Sequence, residues 1–145
     1  MRAFAIVTAG AAALAVSGAC QACRVSLPPA RRLALGYERG AISAIALVRI
    51  KQAGYTQAPF SDAHPWRASG TVERVLRGSY PHAVVSFERG FGSSACDDGR
   101  LPPKAGERWV IYFWKRGAGD QPVWLSYPAT LAYAADPFLS GTRRP

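Results

Sequence analysis

The stretch WRASGTVERVLRGSYPHAVVSF, residues 66–87, predicts a β-hairpin. Its two arms, residues 66–78 and 82–87, are rich in β-branched and aromatic side chains, and a proline-containing turn joins them. In the first arm the apolar residues depart from strict alternation near Glu73 and Arg74, which predicts a β-bulge or a bend there.

Three further strands and two helical segments are predicted around this hairpin. Residues 41–50 form an apolar run that we expect to be buried on both faces, and residues 108–115, RWVIYFWK, are the strongest strand signal by composition. The fifth strand covers residues 122–127, a short helix covers residues 30–39, and a turn of helix covers residues 129–135.

Five strands with long loops favour a mainly β fold, either a small barrel or a sandwich. Closure into a barrel removes exposed edge strands. We therefore predict a five-stranded OB-like barrel with a short N-terminal helix and a C-terminal helical turn, with an incomplete β-sandwich as the alternative.

The start of the chain is typical of a secretory signal. Arg2 is followed by an apolar run as far as Val16, which is too short to span a bilayer. The predicted organisation is a signal peptide at residues 1–19, an N-terminal segment with the short helix at 20–40, the barrel at 41–136 and a frayed tail at 137–145. Export to the periplasm, the outer membrane or the extracellular space is the expected destination.

Three processing sites compete at the end of this leader. Signal peptidase has suitable small residues for a cut after Ala19 or after Ala22. The string VSGAC, residues 16–20, resembles a bacterial lipobox, in which Cys20 would be diacylated and would anchor the protein to a membrane. These alternatives stay open at this point.

The chain has three cysteines, Cys20, Cys23 and Cys96. Disulfides persist in an oxidising compartment, so Cys23 and Cys96 are predicted to pair if Cys20 is lipidated. A redox pair of Cys20 and Cys23 is the rival interpretation, although no strand precedes the motif as it does in most thiol oxidoreductases.

The charge balance is strongly basic, with 18 Lys and Arg against 9 Asp and Glu and a net charge of +9. Such a charge favours anionic partners, whereas scattered arginines are also what an ordinary solvated surface shows. Export argues against nucleic acid and leaves a protein or an anionic polymer of the cell envelope as the expected partner.

No catalytic or metal-binding pattern stands out in the sequence. A hydrolase needs a nucleophile, a base and a group that orients the base. The two histidines, His64 and His82, each adjoin a proline and are expected on the surface or in turns. We expect no metal, no cofactor and no enzymatic activity.

Tryptophans provide the candidate binding residues. Trp66 and Trp114, with Arg74 and Arg116 nearby in the sequence, are predicted to form an aromatic and basic platform on the barrel. Core packing is the alternative for these aromatic residues. Since Trp109 and Trp114 fall on opposite faces of one strand, at least one of them is expected outside the barrel.

A family resemblance supports the barrel. The cysteine near the mature N-terminus, the strand at 42–50, and the strings TVERVLRG (71–78), SAC (94–96) and GERWVIY (106–112) resemble the bacterial relatives of the tissue inhibitors of metalloproteinases. The resemblance implies a netrin-like OB barrel. In the animal inhibitors a Cys-x-Cys start places a free amine on the zinc of the target protease, a role that would fall to Cys20 or Cys23.

The sequence departs from that family pattern in its Cys-x-x-Cys spacing and its few cysteines, and lipidation would block the amine. Our leading hypothesis is therefore an exported, non-enzymatic binding or assembly module of the cell envelope, anchored through Cys20 if that residue is lipidated. The alternatives are an inhibitor of a zinc metalloprotease and a small thiol oxidoreductase that uses Cys20 and Cys23.

Overall fold

The computed structural model describes residues 27–56, 65–89, 100–114 and 122–141. They form a mainly β fold of five strands and three helices. In chain order the elements are α1 (Pro29–Glu38), β1 (Ile42–Tyr55), β2 (Trp66–Arg77), β3 (Val84–Arg89), β4 (Arg108–Trp114), β5 (Val123–Pro128), α2 (Ala129–Ala135) and α3 (Pro137–Ser140). None of the helices in this described part is long and apolar enough to cross a membrane.

The strands form one antiparallel sheet in the order β3-β2-β1-β4-β5, curled into a half-barrel. The prediction of a mainly β, OB-like barrel with a short N-terminal helix and a C-terminal helical turn is thereby confirmed. The two edge strands are bridged by Arg89, whose Nη1 donates to the carbonyl oxygen of Ser126 at 2.5 Å. The same guanidinium lies 5.3 Å from the centre of the Tyr127 ring.

The central strand β1 is buried on both faces, as its apolar sequence predicts. Ala46 and Val48 point into the half-barrel, where side chains of all four of β1–β4 meet. Ile45 and Leu47 point to the outer face, where the three helices cover the sheet. A strand with two buried faces needs apolar residues at successive positions, which is why strict alternation is missing here.

The inner core is built around an aromatic cluster. Trp66 packs edge-on against Trp109 and Phe87, with ring centroids 5.7 and 5.9 Å apart. The indole Nε1 of Trp66 donates to the carbonyl oxygen of Arg100 at 2.7 Å, so its one polar group is satisfied although the residue is fully buried.

Register shifts at five places in the described strands shape the sheet. In β2 Glu73 is the extra residue between the pairs Leu47–Arg74 and Val48–Val72, which confirms the predicted irregularity near Glu73. Bulges add twist and redirect side chains. The bulges therefore help the sheet to curl into a half-barrel.

The outer core is locked by a buried carboxylate, Asp136, which has no exposed surface. Its Oδ2 accepts hydrogen bonds from the hydroxyls of Tyr37 at 2.7 Å and Tyr112 at 2.9 Å, and its Oδ1 accepts from the backbone N–H of Phe138 at 2.8 Å. One side chain thus ties α1 and β4 together and caps α3.

Asp136 also changes the acidity of both tyrosines. Burial first, and then the hydrogen bond and charge of Asp136, raise the pKa of Tyr37 above its ordinary value. Burial and the same negative charge raise the pKa of Tyr112. Both phenols therefore stay protonated well into the alkaline range.

The packed unit extends further than the predicted barrel boundary at residue 136. Residues 137–140 form α3, and Leu139 is only 2% exposed against the outer core. The N-terminal helix likewise places Leu33 in that core. The predictions for residues 1–19, for Cys20, Cys23 and Cys96, and for Arg116 lie outside the described residues.

Candidate binding surfaces

Trp66, Arg74 and Trp114, the three predicted platform residues that the structure describes, are not brought together. Trp66 is fully buried, because its position on β2 faces into the half-barrel, so its predicted place on the surface is corrected to one in the core. Arg74 is exposed on β2 and pairs with Leu47 in the middle of the sheet. Trp114 is 45% exposed at the end of β4, and Arg116 lies outside the described residues.

Trp114 instead meets another tryptophan, Trp124. Their ring centroids lie 6.0 Å apart at an interplanar angle of 72°. The register jumps between Tyr112–Leu125 and Phe113–Val123, so Trp124 is the extra residue of a bulge in β5. The bulge lets Trp124 and Leu125 both pack against the outer core, although they are neighbours in the chain.

Helix α1 approaches this pair at Gly36. A Cβ atom built on Gly36 would overlap the Trp124 ring and would lie 3.1 Å from Cδ1 of Ile42. Only glycine allows the ring to lie this close to the helix backbone. Gly36 therefore fixes the position of Trp124 beneath α1.

Arg32 in α1 and Arg39, the residue that caps its C-terminal end, lie on the side of the helix that meets Trp124. Arg32 and Arg39 lie four residues before and three residues after Gly36, spacings that place them on the same side of a helix. Arg39 is exposed and Arg32 is partly exposed. We call the set of Trp114, Trp124, Arg32 and Arg39 the indole surface.

A cluster of charged side chains lies at the opposite end of β4. Six residues of strand separate it from Trp114, which corresponds to about 20 Å. Arg49 and Arg108 are paired across β1 and β4, and both donate to the bulged residue Glu73. The Nε···Oε distances are 2.5 Å from Arg49 and 2.8 Å from Arg108. Two positive charges thus surround one negative charge.

These arginines set the acidity of Glu73. Desolvation alone would raise the pKa of Glu73, but the hydrogen bonds and charges of Arg108 and Arg49 outweigh it, so the pKa lies below its ordinary value. The Glu73 side chain is 24% exposed and the arginines are 42% and 39% exposed. Solvent therefore screens the cluster, and we assign it little weight in stability.

A groove of about 600 Å³ opens beside Arg49 and Arg108, where the outer face of the sheet meets α2. Pro128 and Thr130 line it, together with Tyr133, which is 3% exposed. The Tyr133 hydroxyl is buried and has no hydrogen-bond partner among the described residues. We call this feature the arginine groove.

The histidines and the possible metal ligands form another set of candidate residues. Within residues 27–56, 65–89, 100–114 and 122–141, no three His, Cys, Asp or Glu side chains gather as a metal site would require. His82 is exposed and lies edge-on to Tyr80, with ring centroids 5.3 Å apart. His64 lies outside the described residues.

Sequence reasoning missed the arginine groove and the role of Gly36. The bulge at Glu73 was the available signal for the groove, because a bulge redirects a side chain, here toward Arg49 on the neighbouring strand β1. For Gly36 the helix sequence gives no sign that an indole ring is packed on it. Comparison with protein-family models, with curated proteins and with solved structures finds no match for this chain.

Proposed function

We propose that this protein is an exported, non-enzymatic binding module of the cell envelope that holds an acidic polysaccharide on the indole surface. The observation that carries the proposal is Trp114, which leaves 45% of a large aromatic side chain in solvent beside a second indole ring. Exposed apolar surface with a polar rim is typical of recognition sites.

The chemistry of the indole surface suits sugars that carry carboxylates. Indole rings offer rigid, flat, apolar area together with one N–H donor, and little conformational entropy is lost when they bind. Arg32 in the flanking helix and Arg39 at its C-terminal cap add positive charge, and guanidinium groups pair well with carboxylates. The net charge of +9 steers polyanions toward the protein at low ionic strength.

Export and anchoring remain part of the proposal. The apolar leader and the VSGAC string support cleavage near residue 19 and lipidation of Cys20. Intact mass and N-terminal analysis of the mature protein, with and without reduction, test this. A mass gain from acyl chains together with a Cys23–Cys96 bridge is expected, and an unmodified N-terminal cysteine would contradict the anchor.

The relationship to the bacterial TIMP-like proteins also stands as a proposal, supported by the OB-like curl of the sheet and by α1 in front of it. Inhibition of a zinc protease requires a free cysteine amine, so the same mass analysis decides it. A thiol oxidoreductase requires a reactive Cys20/Cys23 pair. A Cys23→Ser variant that keeps full stability but loses thiol exchange would favour that alternative.

Calorimetric titration with an oligogalacturonate tests the binding function. Dextran of the same length is the neutral control. We expect saturable binding that weakens as salt rises, no binding of dextran, and an affinity at least about tenfold lower for Trp114→Ala. The control Val84→Ala shortens another exposed apolar side chain, on β3, and should leave the affinity unchanged.

Equal binding of dextran, or equal effects of Trp114→Ala and Val84→Ala, would refute the assignment of the indole surface. A protein partner is the alternative occupant, and it is favoured if no acidic polysaccharide binds although Trp114 is exposed in the mature protein.

A further inference from the structure

We propose that the arginine groove is a second, separate binding site, one that takes a small monocarboxylate with an apolar body. It lies at the other end of β4 from the indole surface, so the proposal does not depend on the polysaccharide function. Its support is the arrangement of donors, charge and burial around the groove.

The two arginines keep hydrogen-bond donors for a ligand. Each binds Glu73 through its Nε atom. One terminal nitrogen of Arg49 makes a long contact of 3.4 Å with the carbonyl oxygen of Gly106. The terminal nitrogens of Arg108 make no hydrogen bond within the described part of the chain, and both residues line the groove. Glu73 therefore orients the guanidinium groups without using all of their donors.

The charge of the site selects a monoanion. Arg49 and Arg108 carry two positive charges and Glu73 one negative charge, which leaves a single positive charge. Glu107 also lines the groove, but its Oε2 accepts from the indole Nε1 of Trp109 at 3.2 Å, so its carboxylate is directed to the opposite face of β4. A dianion such as a phosphate ester would be repelled by Glu73, whereas a planar carboxylate fits the guanidinium donors.

The rest of the groove specifies the body of the ligand. Pro128 and Ala129 provide apolar lining, and a volume of about 600 Å³ is in the usual range for small-molecule sites. Within residues 27–56, 65–89, 100–114 and 122–141 the buried Tyr133 hydroxyl finds no partner, which is unfavourable for the free protein. A ligand group that exchanges a hydrogen bond with this hydroxyl would remove that cost.

Benzoate is the probe for this site, with benzamide as its neutral counterpart and inorganic phosphate as the competing anion. The mature full-length protein is labelled with ¹⁵N and titrated at constant ionic strength. We expect saturable shifts of the amide signals of Gly106, Arg108 and Thr130 with benzoate. The expected Kd is on the order of 10 mM, as suits a ligand of about nine heavy atoms.

Three variants locate the site. Arg108→Gln should weaken benzoate binding at least about tenfold, because it removes the donor pair and the excess charge. Tyr133→Phe should weaken it about threefold or more without lowering stability, since the hydroxyl has no partner in the free protein. The control Arg67→Gln removes the same charge from an exposed pair with Glu88 on β2 and β3, and should leave the Kd unchanged.

Preference for benzoate over benzamide, lost in Arg108→Gln and kept in Arg67→Gln, supports the proposal. It is overturned if benzamide binds equally well, if the shifts do not saturate, or if Arg67→Gln weakens binding as much as Arg108→Gln. Tighter binding of phosphate than of benzoate would overturn the assignment to a monocarboxylate.

Discussion

Removal of the Asp136 carboxylate should destabilise the protein more than any change on its surface. Asp136→Ala takes away the acceptor for the hydroxyls of Tyr37 and Tyr112 and the cap of α3. Two buried hydroxyls would be left without an acceptor at about 1–3 kcal/mol each, so the expected cost is about 3–5 kcal/mol. That is a large part of the total of about 5–15 kcal/mol expected for a domain of this size.

Tyr112→Phe isolates one bond of this network. A hydrogen bond to a charged group contributes about 1.5–3 kcal/mol, so Tyr112→Phe should lower the free energy of unfolding by that amount. In the Asp136→Ala background the Tyr112 hydroxyl is already unpaired. There the same substitution should change stability by about zero or raise it by about 1 kcal/mol.

Equilibrium unfolding in urea at neutral pH, followed by tryptophan fluorescence, measures these differences. Tyr133→Phe is the matched control, because Tyr133 is buried but its hydroxyl has no partner, and it should be neutral or slightly stabilising. The reasoning is refuted if Tyr112→Phe costs no more than Tyr133→Phe. It is also refuted if the effects of Asp136→Ala and Tyr112→Phe simply add.

The remaining predictions concern pH and packing. Burial and Asp136 raise the folded-state pKa of Tyr112, so the stabilisation that Tyr112 provides is complete below its unfolded pKa of about 10 and declines above it. Tyr112 alone should contribute about 1.4 kcal/mol per pH unit to the fall in stability there, in addition to Tyr37, whose pKa is also raised, so the fall should be less steep in Tyr112→Phe. The lowered pKa of Glu73 stabilises the folded protein at pH values above the unfolded pKa of about 4.3, and this stabilisation is lost as the pH falls. In a Glu73→Gln variant the free energy of unfolding should therefore decrease slightly less between neutral and acidic pH. Gly36→Ala should cost about 1–3 kcal/mol and change the near-ultraviolet circular dichroism of the tryptophan pair, as the new methyl group displaces Trp124. Gly54→Ala, where a Cβ meets open space, should change neither stability nor spectrum, and equal behaviour of the two glycine variants would show that α1 does not lie on the ring.

The local elements follow from the sequence because their causes are local. The apolar run at 41–50 predicts a strand buried on both faces, and β1 is that strand, although it continues to Tyr55. Side chains alternate between the two faces of a strand, so Trp109 and Trp114 were expected on opposite faces. In the structure the Trp109 side chain is 2% exposed and the Trp114 side chain is 45% exposed. The bulge at Glu73 follows from the interrupted alternation.

The Asp136 network and the surroundings of Trp114 could not be predicted in the same way, because they depend on contacts between distant parts of the chain. Tyr37 and Asp136 are 99 residues apart in sequence and share a hydrogen bond. In the sequence, Trp66 and Trp114 are equally good candidates for ligand contact. Only the curl of the sheet places Trp66 inside the half-barrel and leaves Trp114 on the surface. No local pattern shows that Gly36 lies under an indole ring.

The indole Nε1–H signals of a ¹⁵N-labelled protein test the central claim most directly, because the tryptophans provide their own controls. During titration with oligogalacturonate the signals of Trp114 and Trp124 should shift together and saturate. The signals of Trp66 and Trp109 should stay in place, since both rings are buried and their N–H groups are already bonded to the Arg100 carbonyl and the Glu107 carboxylate. Binding that leaves Trp114 and Trp124 unchanged, or that shifts the two buried signals equally, would contradict the account.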